Sequence, residues 1–312
     1  MSDEKVWEKQ ALEHLLLENL KEQRRGRRWR TAVRMMTLLV FVGIAINLFD
    51  IDIGGKANLG KHTALVDLQG EIAPDTKASA DAINASLQAA FENSESVGVI
   101  LRINSPGGSP VQSGIIHDEM LRLRAKYPEK ALHVVVEEIC ASGGYYVASA
   151  AENIYVDKAS LVGSIGVIMN GFGVTGLMEK LGIERRAITA GKNKALLDPF
   201  SKQDPKQKEF VQEMIGEVHE QFIKVVRSGR GDRLKETSDM FTGLVWNGAK
   251  SVELGLSDGL GSVDGVARDV FKSPTIVDYT MKDNLAERVA KRFGAAMGEG
   301  ATRVLMYGGQ LR

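Results

Sequence analysis

The sequence predicts an α/β domain built around a largely parallel sheet and preceded by one transmembrane helix, and three observations lead there. From Thr63 onward, short apolar runs alternate with helical patterns: ALVDL, a helix near Ala78 to Phe91, VGVILRI, a helix near Ser113 to Lys126, then LHVVVE. The runs Val97 to Ile103 and Leu132 to Val136 are nearly continuous in their apolar character, as strands covered on both faces are. Ahead of them lies an uncharged apolar run from Met35 to Phe49. No repeat of the βα unit suggests internal duplication.

The apolar run is slightly shorter than the ~20 residues that cross hydrocarbon as a helix. Arg34 can snorkel from its end, and Ala32, Val33 and Ile51 extend the apolar path, so a span over residues 32–52 is expected. A cleaved signal peptide would carry its apolar core near the N-terminus and small residues after it. Here a long charged segment comes first, and Asp50 and Asp52 come directly after the run. Arg24, Arg25, Arg27, Arg28, Arg30 and Arg34 stand just before the span, which keeps residues 1–31 cytoplasmic and exports the chain beyond residue 52. Within that first segment Leu12, Leu15, Leu16 and Leu20 recur at helical spacing, giving an amphipathic helix for the bilayer surface or for a partner.

The exported part reads as one domain over residues 53–280, followed by a helical tail over 281–312 in which Leu285, Val289 and Phe293 repeat every four residues. After LHVVVE the chain continues through a strand NIYVD, the segment Gly163 to Met169, and a strand-like RRAITAG that leads to Lys194. Asp204 and Pro205 then start an amphipathic helix to Val226, with Phe210, Met214, Ile215, Val218 and Phe222 on its apolar face.

Composition removes several function classes. Forty basic and forty acidic residues cancel, so there is no general electrostatic attraction to nucleic acid, and the arginine cluster is explained by its place beside the span. Cys140 is the one cysteine, which excludes an intrachain disulfide and a cysteine-rich metal framework. The sequence holds no HExxH pattern, P-loop or dinucleotide fingerprint, and no cofactor or metal is expected.

The strand LHVVVEE runs into CASGGYYVASAA, placing Ser142 where a strand end meets a helix start. Backbone amides and the helix dipole there favour developing negative charge. The competing reading makes Ser142 a helix N-cap. A serine nucleophile also needs a base. Of His14, His62, His117, His133 and His219, none sits in a recognisable base motif, which leaves a Ser-His-Asp triad unsupported. A lysine can act instead if burial or cationic neighbours keep it neutral, at a cost of roughly 4 to 5 kcal/mol for lowering its pKa to about 7. Lys194 lies in AGKNKALLDPF, beside Lys192.

ASGGYYVA around Ser142, LRINSPGGSP from Leu101, VGSIGV around Ser164 and GKNKALLDPF around Lys194 together resemble the signal peptide peptidase A (SppA) family of Ser/Lys peptidases. The resemblance covers nearly all of the exported part, including ALVDLQG and LVWNGAKSVELGLSDGLG. It implies a crotonase-like or Clp-protease-like spiral of ββα units. It also implies roles: Ser142 as nucleophile, Lys194 as general base, Ser164 orienting the lysine, and Gly107 or Gly108 donating an oxyanion-hole amide. The activity implied is hydrolysis of remnant signal peptides and other short apolar or unfolded peptides, at a bacterial inner membrane with the domain on the periplasmic side. Double-length members take serine and lysine from different halves; this chain carries one set of motifs, like the half-length members, and is expected to form a homo-oligomeric ring or dome. Against this stand an acyl-CoA enzyme on the same framework, disfavoured by export away from cytoplasmic CoA, and a catalytically idle membrane scaffold. A thiol mechanism at Cys140 lacks a paired histidine motif.

Overall fold

The computed structural model describes residues 25–42 and 60–281. The chain divides into two units, one of Leu59–Met281 and one of Met1–Asn58 with Lys282–Arg312. In the second, residues 25–42 form helix α1, whose apolar side chains, Met36, Leu38, Leu39 and Phe41 among them, are exposed. Among the described residues no helix is long and apolar enough to cross a membrane. Helix α1 takes in residues 32–42 of the expected span; residues 43–52, the expected leucine-patterned helix before Arg24 and the tail from 282 lie outside the described residues.

The larger unit opens with β1 (His62–Gln69), α2 (Ala80–Glu92), β2 (Ser96–Ser105), α3 (Pro110–Lys126) and β3 (Leu132–Ala141). Both helices begin at a serine whose hydroxyl accepts from the first turn, Ser79 from Ala82 N and Ser109 from Gln112 N, and Pro110 occupies the first helical position of α3. β1, β2 and β3 are parallel neighbours. Alternate residues of β1 enter two different clusters, and Asp67 interrupts its apolar run. Ala64, Val66 and Leu68 enter the main core with Ile83, Leu87, Ile116 and Met120 of the helices, while Leu65 joins Ile100, Val135, Val266 and Ala267 in a second cluster.

The strand order is β6-β5-β3-β2-β1-β8, with β4 between β3 and β7 off that path. β3 changes partner midway. His133–Val135 pair with β4 (Asn153–Val156), whereas Ile139–Ala141 pair with β5 (Leu161–Gly163). β5 is flanked by the antiparallel β6 (Val245–Asn247); β7 (Gly259–Leu260) and β8 (Ile276–Asp278) are parallel to their neighbours. The fork carries the end of β3 away from β4 and into α4 (Gly143–Ala148). The result is a mixed, mainly parallel α/β sheet.

From Ser164 to Gln203 the chain leaves the sheet as an arm containing one short helix, α5 (Thr175–Leu181). The strand expected at RRAITAG does not form: residues 183–189 have no regular structure. No neighbouring strand is available to it among the described residues, and a strand without a ladder partner leaves its backbone groups to water. Helix α6 (Pro205–Arg230) begins as expected, with the Asp204 carboxylate accepting from Lys206 N. Its packing is not uniform. Phe222, Ile223 and Val226 are buried, but Phe210 and Met214, expected on the packed face, are exposed.

Candidate active site

Ser142 follows the end of β3 with φ 52° and ψ −123°, a left-handed conformation unfavourable for a residue with a β-carbon. It is held there by backbone bonds on both sides: its amide donates to Gly163 O (2.8 Å), and its carbonyl accepts from Tyr146 N (2.9 Å). An N-cap serine has extended backbone and lends its hydroxyl to the helix. Ser142 does neither, and its half-buried Oγ makes no hydrogen bond among the described residues.

The Ser105–Ser109 loop lies against the start of α4. Buried Ser105 organises it, its Oγ donating to Gly70 O (2.6 Å) and accepting from Gly107 N (3.1 Å). Gly107 O accepts from Ile72 N, and Ile72 O from Ser109 N. The Gly107 amide is thereby committed. The Gly108 amide donates to nothing among the described residues, and neither does that of Gly143, the first residue of α4. The two residues are neighbours in space: a β-carbon on Gly143 would stand 3.2 Å from Gly108 N. Gly107 and Gly108 have φ of 101° and 146°, which only glycine adopts without strain.

Ser164 also has positive φ, 51°, and its amide donates to Leu244 O (2.7 Å). The residue before it, Gly163, is the acceptor for the Ser142 amide. The structure thus gathers Ser142, Gly107, Gly108 and the Ser164 loop around one strand end. Lys194 hydrogen-bonds none of them among the described residues. Lys194 is exposed on a turn closed by its amide bond to Gly191 O, and its side chain makes no hydrogen bond or ion pair among the described residues. The dry surroundings expected of a neutral lysine are not supplied by these residues.

No described histidine hydrogen-bonds Ser142. His62 bonds Gly60 O and Tyr279, His117 bonds Asp118, and His219 bonds Ile165 O. His133 is stacked on Phe271, and burial lowers its pKa. His14 lies outside the described residues. Burial pushes the Cys140 thiol far up, which removes it as a nucleophile. Among the described residues no group of three His, Cys, Asp or Glu could hold a metal ion.

Sequence reasoning missed Gly143 and Ser105. A glycine immediately after the serine at a helix start was the available signal for the first, because the amide following a nucleophile often faces the oxyanion. Ser105 opens the SPGG of the LRINSPGGSP motif, which was the available signal for the second. A cavity of about 790 Å³ lies between the arm and α6, lined by Phe172, Leu197, Val211 and Ile215 among others; Ser142 is not part of it.

The family model Peptidase family S49 matches residues 124–273, a stretch that includes Ser142, Ser164 and Lys194. A protease-named protein of Methanocaldococcus jannaschii is 34% identical over 225 residues, which are 70% of this chain and 71% of that one. A protein of Enterococcus faecium named for signal peptide peptidase SppA is 30% identical over 184 residues, 59% of this chain and 53% of that protein. A Brucella melitensis protein named as the Na(+)/H(+) antiporter NhaA is 41% identical over 185 residues. The matched stretch is 59% of this chain but spans only 25% of that protein's length.

Proposed function

The chain belongs to the SppA family of peptidases, peptidase family S49, and from that premise we propose a membrane-anchored serine endopeptidase working through Ser142 and Lys194. The observation that carries this reading is the unengaged Ser142 hydroxyl beside the two unengaged amides of Gly108 and Gly143. In the proposed reaction Ser142 Oγ attacks the scissile carbonyl while its proton passes to Lys194 Nζ. The Gly108 and Gly143 amides hold the tetrahedral oxyanion, each worth about 3 to 4 kcal/mol in such a role. The lysine then protonates the departing amine; water next attacks the Ser142 ester, Lys194 takes the water proton and returns it to Ser142 Oγ as the acid product leaves. Ser164 orients the lysine. No cofactor takes part.

Lys194 must be neutral to act, and its exposure leaves that to a neighbour. The arm that bears it presents Phe172, Leu181, Ile183 and Ile188 to solvent, an apolar surface that a second copy of the chain would cover. A homo-oligomer that buries the arm and delivers Lys194 to a Ser142 site supplies the missing desolvation. The partner change along β3 supports a spiral of the crotonase or Clp-protease kind. The arginines and exposed apolar side chains of α1 support an anchor in a bacterial inner membrane with the domain on the periplasmic side. Remnant signal peptides and other short apolar peptides are the proposed substrates.

The test is turnover of a synthetic signal peptide by the detergent-solubilised wild type, Ser142→Ala and Lys194→Ala proteins, with the mass of each assembly measured. Loss in both variants with assembly intact supports the dyad. Full activity in either one rejects it.

A further inference from the structure

One polar side-chain contact to the nucleophile's surroundings comes from α6 and has no part in the reaction above. His219 Nε2 lies 3.1 Å from the carbonyl oxygen of Ile165. A carbonyl only accepts, so Nε2 carries the proton in this contact. Ile165 is fully buried and ends a run of three tethered residues. Gly163 O receives the Ser142 amide, the Ser164 amide reaches Leu244 O, and Ile165 O receives His219. The first two ties are backbone to backbone; the third depends on a side chain. Ser164 in the middle has φ 51°, a conformation that relaxes unless its neighbours fix it.

Helix α6 also reaches the other side of the nucleophile. The rings of Phe222 and Tyr146 are 5.1 Å apart, and the Tyr146 amide donates to the Ser142 carbonyl. His219 and Phe222, three residues apart on one helix, therefore contact the chain segments on both sides of Ser142, at Ile165 and at Tyr146.

We propose that His219 is a positioning residue of the peptidase: its Nε2–H fixes the Ile165 carbonyl and, through residues 163–165, the geometry of Ser164 and of the Ser142 amide. The inference rests on the reading of Ser142 as the nucleophile. His219 hydrogen-bonds neither Ser142 nor the amides of Gly108 and Gly143 among the described residues, so its effect is on alignment, not on proton transfer. Glutamine offers an N–H donor at comparable reach, whereas phenylalanine keeps the ring and loses the donor.

The experiment uses the full detergent-solubilised chain as wild type, His219→Phe, His219→Gln, His219→Ala and Ser142→Ala. Readouts are the rate of covalent labelling by a fluorophosphonate serine probe, kcat and KM on a synthetic signal peptide, melting temperature and assembly mass. In His219→Phe the labelling rate and kcat should fall about tenfold, the equivalent of one lost neutral hydrogen bond, with KM little changed. His219→Gln should recover to within about threefold of wild type. His219→Ala, which introduces no ring clash, should behave as His219→Phe and keeps the test valid if the latter melts early. Wild-type labelling in His219→Ala overturns the proposal, and so does a His219→Gln protein as slow as His219→Phe. Labelling that persists in Ser142→Ala overturns the nucleophile assignment instead, which separates the two failures.

Discussion

Gly107 approaches Gly143 so closely that a β-carbon on Gly107 would stand 2.6 Å from the Gly143 amide nitrogen. The same β-carbon would lie 2.8 Å from the Ser142 β-carbon, and backbone, not a mobile side-chain end, is among what it meets. Gly107→Ala must therefore separate the loop from α4 as well as adopt φ 101°. The expected result is a loss of about 2 to 4 kcal/mol in stability and a fall of at least about a hundredfold in labelling of Ser142. Denaturant titration and probe labelling measure the two effects separately.

Ser105→Ala removes both bonds of a fully buried hydroxyl and leaves the Gly107 amide and the Gly70 carbonyl without partners. Gly107 is buried but Gly70 is exposed, so one buried group is left unsatisfied, at a cost of about 1 to 3 kcal/mol. The melting temperature should drop by several degrees, and kcat should fall because the amide of Gly108 loses its support. Unchanged kcat in folded Ser105→Ala would mean that the loop keeps its geometry without the serine.

Between the site and the periphery, the sequence was legible where local pattern and final environment coincide. The runs of β1 to β3 are apolar because both faces of the sheet are covered, and the Asp204-Pro205 start of α6 is a local signal that the structure repeats. Ser142 could be singled out because its strand and helix adjoin in sequence. RRAITAG could not be read correctly, since a strand needs a partner and its alternation says nothing about whether one exists. Phe210 and Met214 share a helical face with Phe222, yet only Phe222 meets the core; helical spacing reports which residues share a face, not how far the core extends beneath it. That the Gly107 amide is already engaged depends on a hydroxyl two residues upstream, a relation visible only in three dimensions.

Arg230 is 1% exposed and donates to both carboxylate oxygens of Asp258 and to Gly255 O. Asp258→Asn should cost about 3 to 5 kcal/mol at neutral pH by leaving a buried guanidinium without its counter-charge.

The same pair sets an acid limit. Burial acts to raise the Asp258 carboxyl, but its bond to Arg230, the charge of that guanidinium, the Ile154 amide and Arg233 outweigh burial and hold it below the ordinary aspartate value. A carboxyl depressed in the folded state binds fewer protons there than in the unfolded chain. Its contribution is present above the unfolded value and is lost as pH falls from about 5 through the depressed folded value. Thermal melts from pH 7 downward should lose stability in that window in the wild type and less steeply in Asp258→Asn. Parallel slopes in the two proteins would assign the acid limit to other groups.

Phe172 is 88% exposed and Ile188 entirely so, although both are large apolar residues on the arm that carries Lys194. If another copy covers this surface, Phe172→Lys with Ile188→Lys should shift the detergent-corrected mass to the monomer and abolish turnover together. An assembly of wild-type mass in the double variant would show that the arm is not the contact.

A serine at φ 52° is the less comfortable occupant of its own position. Relaxing that backbone should gain about 1 to 3 kcal/mol, more than the roughly 0.4 to 1 kcal/mol that a glycine adds to the entropy of the unfolded chain. Ser142→Gly is thus expected to outlast the natural chain on heating while hydrolysing nothing. Any search for heat-tolerant variants that scores folding alone would drift toward an inert protein at this one codon, and only a selection that also demands turnover would keep the hydroxyl in place.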